Sequence, residues 1–314
     1  MELRQLRYFI AVAENLSFSK AAQQLHVTVP PLSRQVRQLE EEFGVRLLVR
    51  DRKHVELSDA GRLFLREAKV LVTQAARMSD SVRLAKCGAA GLVRVGVGPA
   101  LGERAARVLL EHAKQYPGVE VQCRDRLSCD LYKGLVNGEI DVAFLRPCFD
   151  WPELNSEVLF REPMVVHLSR ANPLAKRKSL RIKDLANETL LLFEREAAPG
   201  LYDKTLKLYS AAGIHPNTVI VAADPIPHND TQHVLLACRK GIRIAPDEIA
   251  ARPAAGSEVA VVPLDEPEAF AEVHVTWRRD EEAPAVMALV DCVRRVLQCA
   301  IRVPVAANAR AVGA

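Results

Sequence analysis

Residues 17–52 read SFSKAAQQLHVTVPPLSRQVRQLEEEFGVRLLVRDR, and this pattern predicts two short helices followed by a hairpin. Ser17 is a good cap for a first helix that is expected to end at about Leu25. The pair Pro30–Pro31 suits the first turn of a second helix, where the missing N–H groups forfeit no intrahelical hydrogen bond. Gly44 is expected to end that helix, so the stretch predicts a helix-turn-helix.

The second predicted helix combines an inward apolar row with an outward polar face. The row recurs at helical spacing and is expected to face a core; it consists of Leu32, Val36, Leu39 and Phe43. A short helix with Ser, Arg and Gln near its start fits the major groove of DNA, although the same pattern occurs in helical pairs that only present a solvated charged face. The residues predicted to contact DNA from this motif are Ser17, Thr28, Val29, Pro30, Pro31, Ser33, Arg34, Arg37 and Gln38.

Two short apolar segments, 47–49 and 55–57, flank a basic tip behind the second helix. Strands around such a tip form a wing, which is placed to contact phosphates. The chain's net charge of +4 permits nucleic-acid binding without requiring it. The acidic run 40–42 stands at the far end of the helix from its basic start, and this distribution favours DNA binding. The predicted wing contacts are Arg50, Arg52 and Lys53.

The first 51 residues strongly resemble the DNA-binding domain of LysR-type transcriptional regulators, on the run MELRQLRYFIAVAENLSFSKAAQQLHVTVPPLSRQVRQLEEEFGVRLLVRD. The resemblance extends to about residue 300. One position departs from the family, which usually has glutamine where this chain has Val29. That glutamine often contacts a base edge, whereas valine offers only apolar contact, for example with a thymine methyl group. The preferred DNA site is therefore expected to differ.

Length and composition are those of a soluble protein with two or three domains. The chain has 314 residues, of which 49% are apolar and 26% charged. No apolar run approaches the roughly 18 residues that a membrane span needs. The charged start 1–4 leads directly into an amphipathic helix, so no signal peptide is expected and the protein is predicted to be cytoplasmic.

A long helix is predicted after the wing, from a cap at Ser58 and a favourable Asp59 to about Lys86. Its apolar residues recur every seven positions, as in Phe64-x₆-Leu71-x₆-Met78, and such a stripe needs a partner helix or the next domain of the same chain. The resemblance implies antiparallel pairing with a second copy, in a homodimer or homotetramer. Two heads on a two-fold axis would require a pseudo-palindromic site.

We expect four segments along the chain. They are a winged helix-turn-helix DNA-binding domain at 1–58, a linker or dimerisation helix with a hinge at 59–90, an effector-binding regulatory domain at 91–302, and a tail at 303–314. Within the regulatory domain, lobe I is expected at about 91–161 and 268–302, and lobe II at about 162–267.

Strands alternate with helices in the C-terminal two-thirds, which predicts an α/β domain with a mostly parallel sheet and helices on both faces. Ligands of such folds gather at the carboxyl ends of strands. Gly96, Gly98 and Gly102 miss the spacing of a dinucleotide-binding loop, so no nucleotide or other cofactor is expected. Backbone N–H groups at 100–102 are candidates to hold a carboxylate. Ser128, on the opposite wall, is either a second contact or a simple helix cap.

The resemblance implies a two-lobed domain of the periplasmic-binding-protein type, with a small anionic effector between the lobes. Closure on the effector would change promoter binding, and RNA polymerase is a further expected partner. Segments 193–196 and 199–202 resemble the branch that senses aromatic-degradation intermediates. Arg243, where the family usually has a small residue, is a solvated or ion-paired surface group, an added cation near an anionic effector, or a subunit contact. The predicted effector contacts are Gly98, Pro99, Ala100, Leu101, Gly102, Ser128, Arg146, Pro199, Gly200, Leu201, Tyr202 and Arg243.

Other functional classes have less support in the residues. No hydrolase or metalloprotease motif occurs, and His228 and His233 lack a third metal ligand, so neither an enzyme nor a metal site is expected. A solute-binding protein would need a signal peptide. An effector-independent or redox-responsive repressor of the same architecture stays open. Most of the seven cysteines are expected to be reduced, buried thiols, with Cys129 the candidate redox residue near the cleft.

Overall fold

A computed structural model describes residues 1–50, 55–86, 91–148, 151–221, 230–247 and 257–300. The chain divides into two compact units, 1–89 with 136–139 and 90–135 with 140–314. No helix within the described ranges is both long enough and apolar enough to cross a membrane.

The first unit is a helical head with a hairpin and a long final helix. Its elements are α1 (Leu3–Asn15), α2 (Phe18–Gln24), α3 (Val29–Phe43), β1 (Leu48–Arg50), β2 (Val55–Leu57) and α4 (Asp59–Lys86). Phe9, Val36 and Leu39 are fully buried between the helices. The expectation that Phe43 faces the core was wrong, because its side chain is 46% exposed and meets the Phe64 ring only edge-on, with 5.2 Å between centroids.

Hydrogen bonds from two side chains fix the hairpin to the helices. The Glu40 carboxylate accepts the N–H groups of Leu47 and Leu48, each at 3.0 Å. The Ser58 hydroxyl accepts the Gly61 N–H at 2.9 Å, which confirms the predicted cap of α4. Gly61 has to be glycine, since a Cβ there would lie 2.0 Å from the Leu47 carbonyl oxygen. The hairpin is therefore held at the start of β1 by Glu40 and just after β2 by Ser58, whose hydroxyl also donates to the Leu47 carbonyl oxygen.

The second unit alternates strands and helices. Its elements are β3 (Gly91–Val97), α5 (Gly102–Gln115), β4 (Val119–Asp125), α6 (Ser128–Val136), β5 (Val142–Leu145), β6 (Leu154–Ser169), β7 (Thr189–Phe193), α7 (Pro199–Ala211), β8 (Asn217–Val221), α8 (Asp230–Ala237), β9 (Arg243–Pro246), β10 (Val259–Pro263), β11 (Phe270–Arg278) and α9 (Pro284–Ala300), with 3₁₀ turns at Pro173–Lys176, Ile182–Leu185 and Arg195–Ala197.

The expectation of a mostly parallel sheet was wrong. β3 pairs in parallel with β4 and β5, and β7 with β8, but β6 and β11 run antiparallel to each other and to their other neighbours. Their pairing extends from Leu154 opposite Arg278 to Pro163 opposite Phe270. β6 and β11 connect the two lobes. Because one strand leads the chain out of lobe I and the other leads it back, they run in opposite directions, which the local alternation of strands and helices does not predict.

Each lobe has its own core, and β6 contributes to both. Leu159 of β6 packs in the lobe I core with Val95, Phe144 and Leu289. Five residues further along, Met164 belongs to the lobe II core, which is built around β7, β9 and α7. The two crossing strands therefore join two separately packed bodies, an arrangement that allows hinge motion.

Candidate DNA-binding helix and interlobe cleft

The first half of α3 presents its polar side chains to solvent. Thr28, Arg34, Arg37 and Gln38 are exposed, whereas Leu32 and Val36, on the opposite side of the helix, are fully buried. Val29 and Pro30 are also exposed at the start of the helix, and Pro31 and Ser33 are half-buried. The 3.6-residue period thus brings most of the predicted DNA contacts onto one surface.

The start of α3 is positive because the acidic residues of this helix lie near its other end. No acidic residue lies in the first turn of α3. At the other end of the helix, Glu40 accepts the N–H groups of β1, and Glu42 lies 2.8 Å from the amino group of Met1. The N-terminal end of the helix, with its unsatisfied N–H groups, is suited to phosphate.

The remaining predicted DNA contacts lie around this helix. The Ser17 hydroxyl caps α2 by accepting the Lys20 N–H at 3.3 Å. The backbone of Arg50 pairs with Val55 in the hairpin, but its side chain is not described. Arg52 and Lys53 lie outside the described residues.

A small cavity of about 50 Å³ lies between the two lobes, next to the segment that follows β5. It has room for a few water molecules or a single carboxylate-sized group. Five predicted effector contacts, Pro99, Ser128, Arg146, Gly200 and Leu201, line it. Pro147, next to Arg146, also lines it, together with four residues that sequence reasoning missed, Leu127, Cys148, Ala197 and Ala198.

Arg146 is committed to other protein groups. Its Nε and Nη2 atoms donate to Glu162 Oε2 at 3.0 and 2.6 Å, and its Nη1 donates to the Pro99 carbonyl oxygen at 2.8 Å. Glu162 is 1% exposed, so the ion pair is shielded from solvent. Arg104 Nε lies 4.0 Å from the other Glu162 oxygen. Arg146 therefore ties the loop after β3 to β6, and local sequence pattern did not reveal Glu162 as its partner.

The loop after β3 contributes less to the cavity than predicted. Gly98 donates its N–H to the Phe144 carbonyl, and Leu101 donates its own to Gly98. The Leu101 side chain is 1% exposed and packs in the lobe I core, so its assignment as an effector contact has to be corrected. Ala100 and Gly102 are exposed and do not line the cavity.

Two further predicted contacts on lobe II support its core. Pro199 is buried at the first turn of α7, and Tyr202 packs against the lobe II core. Gly200, between them, has to be glycine, because a Cβ would lie 2.0 Å from the Pro147 carbonyl oxygen. The first turn of α7 therefore closes directly onto the segment that follows β5.

Arg243 is not exposed, so the prediction of a solvated or ion-paired surface group was wrong, and it is not among the residues that line the cavity. Its guanidinium is buried and lies 3.1 Å from His167 Nδ1 and 3.2 Å from Gln232 Oε1. Burial lowers the pKa of Arg243 to about 10. Burial, together with the Arg243 charge, lowers the pKa of His167 to about 3, so the imidazole is neutral and its Nδ1 accepts the hydrogen bond.

The cysteines are less buried than expected. Among the described side chains, Cys292 is buried, Cys129 and Cys148 are half-buried, and Cys123 and Cys238 are exposed. Burial raises the pKa of the Cys148 thiol, whose sulfur also lies within hydrogen-bonding reach of Cys129, Ser128 and the Gly200 N–H. Cys148 thus stands where lobe I and lobe II meet.

Two family descriptions match the chain. Residues 3–62 match the bacterial regulatory helix-turn-helix protein family, lysR type, and residues 86–298 match the LysR substrate binding domain. The two matches together span both units.

Named relatives and solved structures agree. The transcriptional regulator AlsR of Bacillus subtilis is 34% identical over 91% of this chain and 93% of its own length. CatR of Pseudomonas putida, also a transcriptional regulator, is 35% identical over 68% of this chain and 73% of its own. Full-length CbnR in complex with its target DNA is similar in structure, with a TM-score of 0.70 and 28% identity over 94% of this chain and 99% of that one.

Proposed function

The chain belongs to the LysR family of DNA-binding transcriptional regulators, and on that basis we propose that α3 reads the operator while an anionic effector acts at the interlobe cleft. The observation that carries the proposal is the contrast in exposure along α3. Arg34, Arg37 and Gln38 face solvent on a helix whose other side is fully buried. Among the described residues, no side chain forms an ion pair with either arginine, so both are available to DNA.

The DNA contacts are proposed to divide by chemistry. Arg34, Arg37 and Gln38 reach base edges and adjacent phosphates in the major groove, and Ser17 and the first turn of α3 position the phosphate backbone. Arg50, Arg52 and Lys53 contact phosphates from the wing. Val29 offers an apolar surface that favours a thymine methyl group.

The target is proposed to be a pseudo-palindromic promoter site bound by a homodimer or by a tetramer of two dimers. α4 supports this, because Leu63, Leu71 and Met78 are 54%, 46% and 67% exposed along it in the single chain. A helix with such an apolar stripe is stabilised by pairing with a second copy. Two reading heads then face half-sites related by two-fold symmetry, and RNA polymerase is the proposed partner at the promoter in the cytoplasm.

The effector is proposed to be a small carboxylate. The cavity meets the first turns of α6 and α7 at Ser128 and Gly200, and helix N-termini favour negative charge. A cavity of about 50 Å³ admits one carboxylate but not a whole aromatic acid. Binding a larger effector therefore requires the lobes to separate along the two crossing strands. Segments 193–196 and 199–202 favour effectors from aromatic degradation.

The test is a footprint of the full-length protein on the DNA upstream of its own gene, with and without aromatic carboxylates and muconate-like diacids. We expect a protected, roughly palindromic site whose length changes with one class of compound. Protection that none of these compounds alters would favour the alternative, an effector-independent repressor. Absence of protection by both the wild type and an Arg34→Ala variant would count against α3 as the reader of this promoter.

A further inference from the structure

Cys129 and Cys148 lie against each other at the edge of the interlobe cavity. Cys129 is the second residue of α6, and Cys148 lines the cavity beside Ser128. Each thiol is half-buried, and the two side chains are within hydrogen-bonding reach of one another. A small oxidant can therefore reach a pair of thiols that are already adjacent.

A second contact holds the same two segments together. Three residues beyond Cys129, the Tyr132 ring of α6 stacks on Trp151, which is three residues beyond Cys148. The ring centroids are 5.7 Å apart and the planes are inclined by 12°. Tyr132 is 2% exposed, so this stack is part of the packed interior. The stack therefore holds α6 and the segment that follows Cys148 side by side.

We propose that Cys129 and Cys148 are a modification site, a thiol pair that closes to an intramolecular disulfide in the presence of a peroxide. The DNA-binding and effector functions proposed above do not require this chemistry, and the sequence offered Cys129 alone as a redox candidate. The bond would tie the start of α6 to the segment that carries the chain from β5 to β6.

The reaction balances with a peroxide as the oxidant. The Cys129 sulfur attacks the peroxide, an S–O bond forms, the O–O bond breaks, and the leaving oxygen takes a proton as water or alcohol. The Cys148 sulfur then attacks the Cys129 sulfenic acid, so that the S–S bond forms and the S–O bond breaks. The released hydroxide takes the Cys148 proton as water. Two thiols lose two electrons, which the peroxide gains.

The surroundings of Cys148 indicate which of the two thiols reacts first with the peroxide. Burial and the neighbouring Cys129 sulfur raise the pKa of Cys148 above its usual range, so this thiol keeps its proton at neutral pH. We therefore assign the first attack to Cys129; the proton of Cys148 leaves with the hydroxide that the sulfenic acid releases, and its sulfur then forms the S–S bond.

Oxidation also changes the cleft, and this second step rests on the proposed function. In the reduced protein the Cys148 sulfur has the Ser128 hydroxyl and the Gly200 N–H as hydrogen-bonding neighbours, one from each lobe. A disulfide draws that sulfur toward Cys129 and weakens both contacts. The oxidised protein would then favour one arrangement of the two lobes over another. This shift would change its response to the effector or its affinity for DNA.

The experiment treats the full-length protein with hydrogen peroxide and digests it with trypsin without reduction. We expect the peptide Leu127–Lys133 to be linked to Gly134–Arg161 with the loss of two hydrogen atoms, a link that dithiothreitol reverses. Closing this short loop is expected to raise the Tm of the oxidised protein by roughly 6 °C. Cys129→Ser should abolish the link and the Tm change. The matched control, Cys238→Ser, removes an exposed cysteine after α8 and should retain both.

Absence of the linked peptides at a peroxide dose that oxidises Cys238 would overturn the proposal. A link that forms in the Cys129→Ser variant through another cysteine would overturn the assignment of the pair. For the second step, promoter affinity of the wild type should differ at least fivefold between oxidised and reduced protein. Equal affinities in the presence of a formed link would overturn the effect on the cleft. Failure of reduced protein to respond to carboxylates would count against the effector proposal and not against the thiol pair.

Discussion

The start of α3 and the interlobe cavity use the same residue type in opposite ways. Arg34 and Arg37 are exposed on the polar face of a helix, and Arg146 is buried and bonded to Glu162 and Pro99. An exposed guanidinium is hydrated and free to exchange water for phosphate or a base edge. A buried one has already exchanged water for protein groups. The first kind of arginine is available to a partner, and the second kind maintains the shape of the protein around it.

The largest expected effect comes from removing the partner of the buried arginine. Glu162→Ala leaves the Arg146 charge uncompensated in the interior, which is expected to lower the free energy of unfolding by about 3–5 kcal/mol. Glu272→Ala is the matched control, because Glu272 pairs with Arg161, the exposed neighbour of Glu162 on β6, and its loss should cost less than about 1 kcal/mol. Urea denaturation measures both. Equal losses would mean that burial does not distinguish these ion pairs.

The next effect concerns the close approach of the lobes. Gly200→Ala places a Cβ 2.0 Å from the Pro147 carbonyl oxygen, so the first turn of α7 has to move. We expect a loss of up to about 3 kcal/mol in unfolding free energy. Gly102→Ala, at the start of α5, has no atom within 4 Å of the added Cβ and should be close to neutral. If the free energy of unfolding of Gly200→Ala equalled that of the wild type, the first turn of α7 could move away from Pro147 without loss of stability.

On the exposed side of the comparison, Arg34→Ala should leave stability unchanged and weaken DNA binding. The loss of one guanidinium contact is expected to cost about 1–2 kcal/mol, or roughly tenfold in affinity. Arg107→Ala, which removes an exposed arginine on α5, is the control and should bind promoter DNA like the wild type. Fluorescence anisotropy at fixed salt measures the affinities. If the Tm of the Arg34→Ala variant fell together with its DNA affinity, Arg34 would be needed for the stability of the DNA-binding domain.

The smallest expected effect is a change in the DNA sequence that the protein prefers. Val29→Gln replaces an apolar contact by an amide that can pair with adenine, so affinity should change by less than about 1 kcal/mol on the natural site. The preferred base at one position of each half-site should change. Selection of bound sequences from a randomised site measures this, with the wild type as reference. An unchanged preference would place Val29 away from the base edges.

The head and the regulatory unit differed in how much of their structure could be predicted. Ser58 was predicted as a cap and α3 was predicted to begin at its prolines, since caps, helix periods and prolines act over a few residues. The antiparallel crossing of β6 and β11 was missed because Asn155 pairs with Trp277, far away in sequence. The buried partners of Arg146 and Arg243 were missed for the same reason. Their partners Glu162 and His167 stand on another strand, so no local pattern joins them.

What the sequence determined by itself is the reading head: two capped helices, a polar face with Arg34 and Arg37, and an apolar face that must be buried. These features depend on hydrophobic period and local hydrogen bonding, which neighbouring residues set. What only the tertiary structure decided is which polar groups of the regulatory unit face the cavity and which are committed to other residues. Arg146, Arg243 and Cys148 have roles set by partners that the fold brings together, since burial of a charge or a thiol is decided by long-range packing.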